Sequence, residues 1–207
     1  MRMVHRAFLV SLIGMGLSAT AIAGPFEDGL AAHKRGDFVA AAQAFRIAAD
    51  QGNAGAQYNL ALLYDFGNGV ANDDTQAVEW YRRSASQGHA DAQFNLAVMY
   101  DMGEGVAIND AEAVKLYRLA AAQGHSIAQN RTGRMYENGE GVAVDYVESL
   151  RWYRRAAAQG NLNAQFNIGV MYDAGKGVAK DPVEAVKWYR LAAAQGNSRA
   201  KDKLIGR

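Results

Sequence analysis

Two histidines, His89 and His125, stand 36 residues apart, and four carboxylates, Asp65, Asp101, Glu137 and Asp173, recur at the same interval. Imidazole and carboxylate are common zinc ligands and general acid–base groups, so metal binding and hydrolysis are the first chemistries to weigh. If the interval is a structural repeat, equivalent side chains are separated by about the 8–10 Å between packed helices. Two histidines on one zinc must each approach it within about 2.1 Å. Asn53, Asn161 and Asn197 hold the same place as the two histidines, which marks it as a turn or a helix start.

The carboxylates are four equivalent copies, whereas acid–base catalysis needs one unequal couple in divergent environments. With the repeated arginines Arg82, Arg118, Arg154 and Arg190 they make two charge ladders, read as structural pairs or solvated rows, with partner recognition as the other use. No Ser-His-Asp or Cys-His arrangement can be defended from position, and the chain has no cysteine. Four Gly-x-Gly-Val stretches, from Gly67, Gly103, Gly139 and Gly175, invite a phosphate cradle. They follow helical patterns rather than strands and lack the Gly-Lys-Ser/Thr of a P-loop, so connection geometry is the better reading. The chain is therefore expected to hold no catalytic, cofactor-binding or metal residues and not to be an enzyme.

Recognition is the remaining chemistry. The candidate partner contacts are two polar rows, Gln57, Gln93, Gln129 and Gln165 beside Asn59, Asn95, Arg131 and Asn167. Hydrogen bonding between units is an equal alternative use for these rows. Arg131 and Arg134 stand out because Asn130-Arg131-Thr132 breaks the Phe94-Asn95-Leu96 pattern of the neighbouring unit, through diversion to a ligand or through drift. Replacing Gln93, Asn95 and Arg131 together is expected to abolish partner capture and leave the melting temperature nearly unchanged.

The elements that position these rows are tandem helix pairs. Gln-Gly recurs at Gln51, Gln87, Gln123, Gln159 and Gln195, defining four units, 53–88, 89–124, 125–160 and 161–196. The second and fourth are identical at 24 of 36 positions. Ala92, Leu96 and Tyr100 in one half, and Ala113, Leu116, Tyr117 and Ala120 in the other, give two amphipathic helices per unit. Asp73, Asn109, Asp145 and Asp181, each followed three residues later by Gln76, Glu112, Glu148 or Glu184, predict the starts of the second helices as capping boxes. Gly88, Gly124, Gly160 and Gly196 predict their ends. Such hairpins bury their apolar faces only by stacking, with small residues such as Ala120-Ala121-Ala122 allowing close approach and Tyr81, Tyr117, Tyr153, Tyr189, Trp80, Trp152 and Trp188 filling larger spaces. Residues 24–52 predict a shorter capping hairpin, and 197–207 a charged capping stub.

Residues 1–23 predict a signal peptide: Arg2 and Arg6, an apolar run over 7–17, and Ala21-Ile22-Ala23 as a cleavage site after Ala23. The run is too short to span a bilayer comfortably, so no membrane span is expected after cleavage, and the mature chain is expected in the periplasm or secreted. Removal leaves 20 basic against 21 acidic residues, a charge of −1, which argues against nucleic-acid binding.

The residues Ala92-Gln93, Leu96, Tyr100, Gly103-Glu104-Gly105-Val106, Ala113, Tyr117, Ala120-Ala121 and Gln123-Gly124, repeated over 53–196, resemble the Sel-1-like repeat, a relative of the tetratricopeptide repeat. The opening hairpin, with Gly36-Asp37-Phe38 and Ala41, is closer to the tetratricopeptide type. The resemblance implies an all-α, right-handed α-solenoid of antiparallel helix pairs, acting as an adaptor or scaffold for a protein partner. Exported bacterial members are associated with envelope signalling, surface polysaccharide assembly and host interaction. The reading is thus an exported, monomeric scaffold that holds an unidentified protein on its concave face. The alternatives are an envelope hydrolase acting on β-lactam or cell-wall substrates, as cysteine-rich relatives suggest, or a passive component of an envelope complex.

Overall fold

A computed structural model describes residues 24–206; the expected signal peptide lies outside the described residues. Within them the chain is a stack of antiparallel helix pairs: α1 (Pro25–Lys34) with α2 (Phe38–Asp50), α3 (Ala54–Phe66) with α4 (Asp74–Ser86), and α5 (Ala90–Met102) with α6 (Asp110–Ala122). Then come α7 (Ser126–Asn138) with α8 (Tyr146–Ala158), α9 (Leu162–Ala174) with α10 (Pro182–Ala194), and the short α11 (Ser198–Ile205). Each second helix packs on its own partner and on the first helix of the next unit, which is the connectivity of a right-handed α-solenoid.

Local chemistry starts every repeat helix. Asn53, His89, His125, Asn161 and Asn197 cap the odd-numbered helices from α3 onward, each side chain accepting the amide of the residue three further on at 2.8 to 3.3 Å. Asp73, Asn109, Asp145 and Asp181 do the same for the second helices. Only half of the expected capping box forms, because the carboxylates that should return to the cap are used elsewhere. Glu112 takes Lys115, Glu148 takes Arg151, and Glu184 takes Lys187 and the Trp188 indole.

Two glycines per loop have distinct tasks. Gly103, at φ 72°, ends α5 in the left-handed region, and Gly105, at φ 66°, lays its backbone on the preceding unit. A Cβ on Gly105 would fall 2.2 Å from the Asp74 carbonyl oxygen. Val70, Val106, Val142 and Val178 then seat each loop against the apolar core.

That core is built around four fully buried tyrosines, Tyr81, Tyr117, Tyr153 and Tyr189. Their hydroxyls donate to Asp65, Asp101, Glu137 and Asp173 at 2.8 to 3.2 Å, so the carboxylate ladder is a set of internal pairs. Burial, reinforced by those carboxylates, pushes the Tyr117 and Tyr153 hydroxyls far above their ordinary pKa, which keeps them neutral donors. Two members of the arginine ladder cross the junctions, Arg82 and Arg154 donating to the hydroxyls of Tyr100 and Tyr172 on the next first helix, and Arg46, at the same register in the opening hairpin, donates to that of Tyr64. In the alanine runs the first residue, such as Ala120, is buried, the second is buried at Ala121 and Ala157 and partly buried at Ala193, and the third, such as Ala122, is exposed.

Candidate partner-binding cleft

The glutamine row lies inside the seam between units. Gln57, Gln93, Gln129 and Gln165 are 4 to 6% exposed. Gln57, Gln93 and Gln129 donate to Ala49, Ala85 and Ala121 carbonyls at the end of the preceding second helix, at 3.1 to 3.2 Å. All four accept from Gln87, Gln123, Gln159 and Gln195, the glutamines of the Gln-Gly pairs, at 2.7 to 2.8 Å. The partner-contact assignment for these four residues is therefore corrected to the other use foreseen for them: every amide oxygen accepts across the junction, and three of the four amides also donate across it.

Asn59 is also buried, and it donates to the Gly55 carbonyl of its own helix at 2.8 Å. Asn95, half-buried, donates to the Tyr81 hydroxyl at 3.1 Å. Arg131, Arg134 and Asn167 are brought together on the walls of one cleft of about 800 Å³. Its walls come from α5, α7, α8 and α9, the turn at Gln159-Gly160, and α11.

A local subtraction opens this cleft. In the first two units an aromatic ring fills the corresponding space: Tyr58 stacks on His89 with ring centroids 4.6 Å apart, and Phe94 stacks on His125 at 4.5 Å. In the fourth, Phe166 lies 4.5 Å beneath the Arg199 guanidinium. The third unit has Asn130 at that register and the next unit Asn161 at the cap position, and both line the cleft. Asn167 donates to Asn130 Oδ1 at 3.1 Å, so the gap is lined by amides where its neighbours hold rings.

The charges around it are unevenly satisfied. Arg134 donates to Asp101 at 3.1 Å and pairs with Glu140 at 3.4 Å. Glu137 accepts from Tyr153 at 2.9 Å and from Lys176 at 3.1 Å. Arg131 makes no carboxylate contact among the described residues, and Arg199 is held by the Phe166 ring.

Sequence reading missed Asn130 as the cause of the gap, and with it Asn163 and Arg199 on the walls. The signal available was the aromatic register at Tyr58, Phe94 and Phe166, broken once. It also passed over a Ser-x-x-Lys spacing at Ser198 and Lys201, both of which lie exposed in the first turn of α11. His89 and His125 are neutral caps, their Nδ1 atoms accepting Ala92 and Ala128 amides. Among the described residues no three His, Asp or Glu side chains converge to hold a metal ion, and no helix is long and apolar enough to cross a membrane.

The Sel1 repeat model matches residues 54–89, 90–125, 126–161 and 162–197. The chain belongs to the Sel1 repeat family. Sel1 repeats generally serve as protein-interaction scaffolds rather than catalytic folds. Among solved structures, the Sel1 repeat protein from Oxalobacter formigenes superposes with a TM-score of 0.81 at 40% identity, over 86% of this chain and 71% of that one. The protein c5321, a protective antigen present in uropathogenic Escherichia coli strains and displaying an SLR fold, superposes with a TM-score of 0.83 at 36% identity. That match covers 87% of this chain and 40% of the other. Among curated proteins, the exopolysaccharide production negative regulator of Rhizobium meliloti (strain 1021) is 38% identical over 65 residues, which is 30% of this chain and 24% of that protein. The chain thus spans about a quarter of the curated relative it matches.

Proposed function

We propose that this Sel1 repeat chain is an exported, monomeric scaffold that holds a partner protein along the concave, first-helix side of its solenoid, in envelope signalling or assembly. One observation carries the reading: first helices of successive units, α5, α7 and α9, share a solvent-open cleft on whose walls Arg131 makes no ion pair among the described residues. A scaffold binds by presenting such surface on rigid elements, and here the supporting helices are tied by the buried glutamine seam beneath. Export is supported by the charged, apolar and small-residue order of residues 1–23. A regulatory envelope role is supported by the name of the Rhizobium meliloti relative.

Photo-crosslinking in intact cells tests the reading. A crosslinking amino acid placed at Asn95, Arg131 or Asn167 is expected to trap one discrete partner, and the same probe at Arg118 or Arg190, exposed on second helices, is expected to trap none. Equal trapping from both sides, or none from either, overturns it.

A further inference from the structure

Three unit-specific residues turn this stretch of the first-helix side from apolar to cationic. Position by position, Asn130 replaces the aromatic of Tyr58, Phe94 and Phe166; Arg131 replaces the asparagine of Asn59, Asn95 and Asn167; and Arg134 replaces the aliphatic of Leu62, Val98 and Val170. The substitutions fall on one helix face, at i, i+1 and i+4, and the cleft lies over them.

The charged side chains on the cleft walls are Arg131, Arg134, Arg199 and Glu137. Glu137 is held by Tyr153 and Lys176, and Arg134 by Asp101 and Glu140; these two cations and three carboxylates sum to −1, so with Arg131 and Arg199 the cleft and its surround carry +1. Arg131 and Arg199 are left as the wall cations that form no ion pair with a carboxylate among the described residues. A guanidinium offers a planar fork of donors that matches a carboxylate, and partial enclosure strengthens that match relative to bulk water. Beside them Asn130, Asn163 and Asn167 supply amide donors and acceptors of the kind that pair with a peptide backbone. Phe94, Val98, Ile127 and Leu162 add an apolar wall.

We propose that the third repeat is the specificity-determining unit of the scaffold: its cleft takes an extended peptide segment of the partner, with an acidic side chain met by Arg131 and Arg199 and a neighbouring apolar side chain laid against Phe94 and Leu162. This rests on the scaffold reading above and names the chemistry of what is held. A peptide is favoured over an acidic saccharide because the apolar wall and the amides lie side by side, suiting an apolar side chain next to a main-chain amide.

Fluorescence anisotropy of the purified chain with labelled short peptides tests it. The probes are a peptide with two glutamates flanked by leucines, its glutamine counterpart, and an oligosaccharide of glucuronate. The glutamate peptide is expected to bind saturably, about tenfold or more tighter than the glutamine peptide, with affinity falling as salt rises. Arg131→Asn and Asn130→Phe, which install what the second and fourth units carry, are each expected to weaken it about tenfold or more while leaving the melting temperature at or above the parent value. Equal affinity for the glutamine peptide, undiminished affinity in both variants, or binding of glucuronate without binding of the peptide overturns the proposal. If crosslinking at Asn95 and Asn167 still traps a partner that both variants capture normally, the cleft chemistry fails and the scaffold reading stands. If the glutamate peptide binds as described but no partner is trapped, it is the scaffold reading that fails.

Discussion

Replacing Gln93 by alanine isolates the contribution of the polar seam. The side chain is 4% exposed, donates to the Ala85 carbonyl at 3.2 Å and accepts from Gln123 at 2.8 Å. Removing it deletes two hydrogen bonds, each worth about 1 kcal/mol net. It also deletes a buried methylene beyond Cβ, worth about 0.8 kcal/mol. The penalty for orphaned groups is softened, because Ala85 oxygen still accepts the Gly88 amide at 3.0 Å and Gln123 still donates to the Gly88 carbonyl at 2.9 Å. The sum is about 3 kcal/mol, and for a chain of this size each kcal/mol shifts the melting temperature by about 2–4 °C. A fall of roughly 6–12 °C is therefore expected by far-ultraviolet circular dichroism, at unchanged helical content before melting. The transition should also broaden, since a weakened junction lets the two halves of a repeat array melt apart. The expectation from sequence that a triple replacement at Gln93, Asn95 and Arg131 would leave stability nearly unchanged is revised accordingly for its Gln93 member. If Gln93→Ala melts with the parent chain and loses partner capture, the seam assignment is wrong and the glutamines are contact residues.

Three further outcomes follow from the same geometry. Burial, only partly opposed by the attraction of Asp91, holds His125 below its ordinary pKa of 6.5, and its neutral Nδ1 is needed to accept the Ala128 amide. As pH falls below that ordinary value the unfolded chain binds a proton that the folded chain resists, so stability is lost. His125→Asn, which keeps a cap of about 1 kcal/mol, should reduce the drop in melting temperature between about pH 7 and about pH 5. Gly141→Ala would place a Cβ 2.2 Å from the Asp110 carbonyl oxygen at a backbone φ of 66° and should lower urea-midpoint stability by about 3 kcal/mol or more, whereas Gly124→Ala, with open space around it, should cost about 1 kcal/mol. Ala121→Leu, at a position 2% exposed in the helix junction, should overpack by about 1–3 kcal/mol, measured by the same denaturation.

The repeat, the helix pairs and their ends were legible in the sequence because their signals are local. A cap such as Asp145 satisfies amides two and three residues away, and a left-handed stop such as Gly103 needs only its own missing Cβ. Repetition multiplies those signals, so the all-helical solenoid could be read without coordinates.

The working surface could not. Gln93 and Arg131 sit two places apart in the register of successive first helices, and periodicity alone assigns both to the edge of the apolar stripe. Stacking decided between them: the end of the preceding second helix lies over Gln93 and supplies a carbonyl, while the space over Arg131 was left open because Asn130 is smaller than the ring its neighbours carry. Arg199, read in the sequence as part of a soluble end cap, became a wall of the cleft only because the final half-unit continues the stack. A hydrogen bond closed within one turn is written in adjacent residues. A cavity is made by what several distant segments fail to fill, and only the packed chain shows it.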